Sequence, residues 1–265
     1  MTRLSHRSAC PIFIGGTRCS VALIAFSLFT VALCAQTSAP APGLEKWRKS
    51  RIGIYMNDFG ELDRYRAANA ALGAPKAGED RVVFFGDSIT DMWSLADSFP
   101  GKPYVNRGIG GQTTPQMLVR FRQDVIALQA KVVVILAGTN DIAGNTGPMR
   151  LEDIEANYAS FEDLASAHHI KVVFSSVLPV NNYTPESQEF FATRPPEKIL
   201  ALNRWLKDYC SAHGCIYLDY FTAVVDEKGL LRKDLAGDGL HPNATGYKIM
   251  APLAEAAIGK ALATH

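Results

Sequence analysis

The chain has 265 residues, and its 27 lysines and arginines stand against 26 aspartates and glutamates for a formal charge of +1. So even a balance offers no basic patch of the kind that nucleic-acid binding requires, and the length suits one domain with a full core. Neither H-E-x-x-H nor a paired C-x-x-C is present, so no zinc signature appears.

The first 35 residues have the pattern of a secretory signal peptide. Arg3, Arg7 and Arg18 precede an uncharged apolar run from Val21 to Cys34, and the small Ala35 follows. The run is short beside the roughly 20 apolar residues of a membrane span. Cleavage after Ala35 is therefore expected, with no stable membrane span in the mature chain and a periplasmic or extracellular destination. A lipid anchor on Cys34 is the alternative, disfavoured by the bulk of Leu33 just before it. Without the three arginines the balance becomes 24 basic against 26 acidic residues, a formal −2. Cys10, Cys19 and Cys34 leave with the segment. Cys210 and Cys215 remain, able to bridge in an oxidising compartment or to stay as two buried thiols.

Residues 36–43 are a linker by composition. From Leu44 to Leu72 the chain is helix-prone, with Leu62, Tyr65, Ala68 and Leu72 at helical spacing. It reads as an N-terminal extension, over 44–80, that packs on a catalytic domain at 81–265. In that domain short β-branched runs occur at Arg81–Phe85, Tyr104–Asn106, Lys131–Ala137, Ile170–Val177 and Ile216–Asp219. Amphipathic stretches alternate with them at Thr114–Gln129, Leu151–His168, Pro196–Ala212 and Ala244–Thr264. This alternation predicts an α/β fold, a buried parallel sheet with helices on both faces. Two further segments, Ile142–Pro148 and Asn181–Pro196, read as loops.

In such sheets ligands gather beyond the carboxyl ends of the strands. The first strand runs into Gly86-Asp87-Ser88, which leaves Ser88 at a helix start with its backbone N–H free for an anion. Serine also favours that place as a plain helix cap. The second strand leads into Arg107-Gly108-Ile109-Gly110-Gly111-Gln112-Thr113, where glycines can bring a backbone N–H against a ligand or simply make a loop. The third ends in Gly138-Thr139-Asn140-Asp141, where the Asn140 amide offers a neutral donor and where Asn and Asp also form ordinary turns. After the last strand comes Asp238-Gly239-Leu240-His241. His6 leaves with the leader and His265 is terminal; His168, His169 and His213 lie away from strand ends. His241 alone follows the final strand, with Asp238 three residues earlier to orient its ring.

These four blocks, in this order, resemble the GDSL esterases or SGNH hydrolases, and they span residues 86–241. The resemblance implies a three-layer sandwich with a central five-stranded parallel sheet, flavodoxin-like. It implies Ser88 as nucleophile and His241 as base, oriented by Asp238. Ser88 N–H, Gly111 N–H and the Asn140 side chain would form the oxyanion hole, with Asp87 and Asp141 as supporting residues. Gly111 matches the Asn-x-x-x-x-Gly form of the second block, and Ile89 stands where the family usually has Leu. The implied reaction is acyl transfer through an acyl-enzyme, with no metal or cofactor, on a short-chain or carbohydrate acyl ester. The block order is also similar to the bacterial thioesterase/lysophospholipase type, which implies longer acyl chains. A non-catalytic binding module would be expected to lack one of Ser88, Asp238 or His241. A flavodoxin-like cofactor site is excluded by the glycine spacing at Gly108–Gly111. Oligomeric state is not legible from the chain.

Overall fold

A computed structural model describes residues 42–263. The expected signal peptide at 1–35 and most of the 36–43 linker lie outside the described residues. The five β-branched runs form β1 (Val82–Gly86), β2 (Tyr104–Gly108), β3 (Val132–Leu136), β4 (Lys171–Ser175) and β5 (Ile216–Leu218). They make a five-stranded sheet of order β2-β1-β3-β4-β5, with every pairing parallel. This is the flavodoxin-like order that the resemblance implies.

Helices α1 (Pro42–Asn57) and α2 (Arg66–Leu72) precede the sheet, and α3 (Ser88–Asp91) and α4 (Leu95–Ser98) follow β1. Next come α5 (Thr114–Phe121), α6 (Thr139–Ala143), α7 (Leu151–Ser166), α8 (Pro185–Thr193), α9 (Pro196–His213), α10 (Phe221–Val224) and α11 (Ala244–Ala263). Strand side chains alternate between two cores, which is why the strands are apolar throughout. Val83, Phe85, Val133, Ile135, Val172 and Phe174 face Met117, Phe121, Tyr158, Phe161 and Leu206 of α5, α7 and α9. Val82, Phe84, Val132, Val134 and Val173 face Trp93, Phe99 and the Met250, Ala254 and Ile258 stripe of α11.

The register places the site. Gly86 pairs with Gly108 on one side and with Leu136 on the other, so β1, β2 and β3 end level. The three loops that follow therefore emerge side by side, at the switch point between β1 and β3.

Three elements differ from the sequence reading. The extension is broken between α1 and α2: Glu61 takes φ +52, and Tyr65 turns inward to donate from its hydroxyl to the Gly108 carbonyl. The stretch expected as one helix from Thr114 to Gln129 passes from α5 into a π-helical turn at Arg122–Ile126. There the fully buried Asp124 accepts from Arg120 at 3.0 Å and from Asn69 at 2.7 Å. The Asn181–Pro196 segment is not a continuous loop, because α8 forms within it. Pro185 sits in its first turn and Thr184 accepts from the Ser187 N–H, closing a capping box.

Candidate active site

The β1–α3 turn needs a residue without a side chain at Gly86. A Cβ there would stand 2.6 Å from the Leu136 carbonyl oxygen and 2.2 Å from Thr90 Oγ1. Asp87 then caps α3, its Oδ1 accepting from the Ile89 N–H at 2.9 Å. Ser88 is the first residue of α3, so its N–H has no partner within the helix. Its Oγ lies 2.9 Å from His241 Nε2.

Behind His241 the chain of contacts continues. Nδ1 is 2.6 Å from Asp238 Oδ2, while Asp238 Oδ1 accepts from the backbone N–H of His241 at 2.8 Å and of Leu240 at 3.0 Å. Burial works against the Asp238 charge, but the hydrogen bonds from the His241 ring and from these two amides hold its carboxyl far below the usual range. An ionised Asp238 can only accept, so Nδ1 carries the proton and Nε2 is left to accept from the Ser88 hydroxyl.

The second and third blocks face this pair. Asn106 reaches across to the α3–α4 corner, donating to the Thr90 and Trp93 carbonyls at 2.6 and 3.0 Å. Arg120, completely buried, clasps the strand ends by donating to the Gly86 carbonyl at 2.9 Å, the Arg107 carbonyl at 2.8 Å and Gln112 Oε1 at 2.6 Å. Gly111 has φ +79, and a Cβ on it would stand 2.4 Å from the Trp47 ring. Asn140 donates from Nδ2 to the Gln112 carbonyl at 3.0 Å. Asp141 points away from the site and accepts from the Thr114 N–H and hydroxyl at 2.9 and 2.5 Å, tying α6 to α5. Burial pushes both Asp87 and Asp141 up to about 6.

Ser88, Gly111, Asn140 and His241 line one cavity of about 580 Å³. All the residues singled out at the four strand ends are thus brought to one place, with Asp238 behind His241 and with Asp87 and Asp141 buried beneath. Among the described residues, the other histidines are not. His213 stacks on Tyr209 at 3.9 Å on the surface of α9, and His168 and His169 are exposed at the end of α7. Cys210 and Cys215 close the α9–β5 turn with Cα atoms 4.5 Å apart, within the span of a disulfide.

Several lining residues escaped the sequence reading. Leu44 and Trp47 come from α1, while Glu189, Thr193 and Arg194 come from α8 and its end; Phe190 beside them belongs to the polar-aromatic segment whose rings the sequence offered for a sugar face, an acyl chain or plain core cover. The edge of the Phe190 ring meets His241 with centroids 6.0 Å apart. Arg48 of α1 donates from Nε to the Gly144 carbonyl at 2.8 Å, seating the helix against the loop after α6. The helix spacing of α1 gave no hint of this, because no residue of it is buried. A Thr-Pro start was the one available signal for α8.

Comparison with known proteins gives the family of the chain. The model of the GDSL-like Lipase/Acylhydrolase family matches residues 84–249. A solved GDSL-like lipase of Bacteroides thetaiotaomicron is 42% identical with a TM-score of 0.71, covering 77% of this chain and 99% of its own. A candidate acylhydrolase of Bacteroides fragilis is 41% identical with a TM-score of 0.72 over the same shares. An uncharacterised lipoprotein of Bacillus subtilis is 30% identical over 141 residues, which cover 46% of this chain and 58% of that protein's length. The four blocks fall within the matched region, and the chain belongs to the GDSL-like Lipase/Acylhydrolase family.

Proposed function

We propose that this protein hydrolyses carboxylic esters, with Ser88 as nucleophile, His241 as general base and Asp238 as the group that orients the imidazole. The contact between Ser88 Oγ and His241 Nε2 at 2.9 Å, backed by Asp238 at 2.6 Å, carries this reading. In the first step His241 takes the hydroxyl proton as Oγ attacks the ester carbonyl. The tetrahedral oxyanion forms among the Ser88 N–H, the Gly111 N–H and the Asn140 amide. His241 then returns its proton to the departing alcohol, and water repeats the sequence on the acyl-enzyme. No metal or organic cofactor enters these steps.

Short acyl esters of polar alcohols, carbohydrates among them, are the substrates we favour. Trp47 and Phe190 bound the cavity beside apolar Leu44 and Leu240, while Glu189, Asn145 and Arg194 supply polar lining. A larger cleft of about 1010 Å³ runs between α4 and α11, and it shares Met92 with the site cavity. A bulky alcohol extending over the exposed Met92 would reach it. The apolar lining favours the second reading, longer acyl chains as in a lysophospholipase or thioesterase. We also read the chain as an exported protein, with a leader at 1–35 and a helical extension ahead of a catalytic unit that begins near residue 81.

Hydrolysis of a series of esters from acetyl to palmitoyl, with acetylated saccharides and a lysophospholipid, tests both readings. Acetyl and butyryl esters are expected to give the highest kcat/KM; a maximum at dodecyl or longer supports the second reading. Ser88→Ala is expected to lower kcat by about 10⁶ while the protein stays folded. Retention of a tenth of the activity would remove Ser88 from its assigned role.

A further inference from the structure

The most unusual charge in the site cavity belongs to Arg194. It is 4% exposed, and among the described residues no carboxylate lies at ion-pair distance from it. Its guanidinium is held by neutral oxygens instead. Nε donates to Thr139 Oγ1 at 3.0 Å, one terminal nitrogen donates to Thr193 Oγ1 at 3.0 Å and the Phe190 carbonyl at 3.5 Å, and the other donates to Asn140 Oδ1 at 3.2 Å. The Phe190 ring lies 5.4 Å from its central carbon. Burial pushes this guanidinium down to about 10, against the attraction of Asp87 and Asp238, so it remains a cation at neutral pH.

A buried cation without a nearby anion is costly to keep, since desolvation is not returned by a salt bridge. Its position offers a return during the reaction. A guanidinium only donates, so the Asn140 atom it touches must be the amide oxygen. Asn140 Nδ2 is thereby turned the other way, with one hydrogen on the Gln112 carbonyl and the second left over. Withdrawal of density toward Arg194 makes that second N–H a stronger donor. A negative charge that appears beside Asn140 also meets the positive field of Arg194 in surroundings that screen it weakly.

Resting on the reading of Asn140 as an oxyanion donor, we infer that Arg194 is a positioning residue of the reaction, locking the Asn140 amide and charging the oxyanion hole from behind. It sits outside the four blocks and touches no reacting atom. Its effect therefore appears in the transition state, chiefly through Asn140 and in smaller part through its field on the oxyanion.

A double-mutant cycle between Arg194 and Asn140 tests this, with kcat and KM measured on an activated acetyl ester. Arg194→Met is expected to lower kcat about 10- to 100-fold with KM within about threefold, less than the loss for a hydrogen-bond donor removed outright. In the Asn140→Ala background the same change should cost less than about threefold. Arg194→Lys, which keeps the charge but not the fork, should recover part of the loss. Affinity for a small boronic acid, which forms a tetrahedral adduct on serine, should fall with Arg194→Met by the same factor as kcat/KM. Equal losses in both backgrounds, or a raised KM at unchanged kcat, would overturn the inference. If Arg194→Met does not fold, Thr139→Val, which removes the acceptor of Nε, should give the same coupled pattern at smaller size; additive losses there overturn it equally. Ser88→Ala separates the two levels: an active Ser88→Ala protein defeats the assignment of Ser88 as nucleophile and of the oxyanion site built around it, on which this inference rests. An inactive one with an additive cycle defeats this inference alone.

Discussion

Asp87 and Asp141 stand directly beside Ser88 and Asn140 in the chain, yet neither faces the cavity. Each is buried, each has one oxygen in good hydrogen bonds, and each leaves its Oδ2 without a partner. That arrangement has a cost that depends on pH. Burial raises both carboxyls from 3.8 to about 6, so between those values the folded protein holds protons that the unfolded chain has shed. Stability therefore falls as pH rises from about 4 to about 6, by roughly 3 kcal/mol for each group. Chemical denaturation across pH 4–7 checks this. Asp87→Asn should flatten about half of that decline relative to wild type, and the further change Asp141→Asn should remove the remainder. Equal slopes in all three proteins would show that neither carboxyl titrates in that window. The molecule keeps these two strained acids where they hold the turn at Ser88 and the joint between α5 and α6.

At the scale of elements, the contrast lies between the strand-end loops and α1. The loops are fixed by level strand ends and by the Arg120 clasp, and each was legible because its signals are local. A glycine, a small polar residue and a helix start occur within a few positions of a β-branched run. Helix α8 and Arg194 were not legible for the opposite reason. Polar and aromatic residues around Pro195-Pro196 have no periodicity, and the partners of Arg194 come from the distant β3–α6 turn. The role of α1 was equally hidden, since it docks through Trp47, Arg48 and the Arg51–Glu61 pair at 2.6 Å rather than through an apolar stripe. Because α1 buries no residue, Trp47→Ala should change thermal stability little. It should widen the cavity beside Gly111 and raise kcat/KM for octanoyl over acetyl esters about tenfold, the order of the discrimination a hydrophobic pocket gives. An unchanged chain-length profile would place the acyl group elsewhere in the cavity.

At the scale of the whole molecule, the parallel sheet and its two helix layers followed from the alternation of apolar runs and amphipathic stretches, whereas the strand order came only with the family resemblance. The break at Glu61 and the π-helical turn did not, because both answer to buried hydrogen bonds made across the fold. If the chain is exported as we propose, protein recovered outside the cytoplasm should begin at or near Gln36. Its denatured, unreduced form should then titrate no free thiol at Cys210 or Cys215. An intact Met1, a lipid-modified Cys34 or two titratable thiols would each contradict that history. The placement of α1 bears on how such a chain matures. It precedes every strand, whereas Gly111, Gly144 and Glu189, against which it rests, all come later. A single 16-residue helix is marginal in water on its own, so while the chain emerges it has nothing to hold it. Among the described elements, the first to be synthesised is therefore the last to find its seat. On the proposed reading, the Ser88–His241–Asp238 group would by then be in place behind an unfinished wall, and selection among esters would ripen later than reactivity.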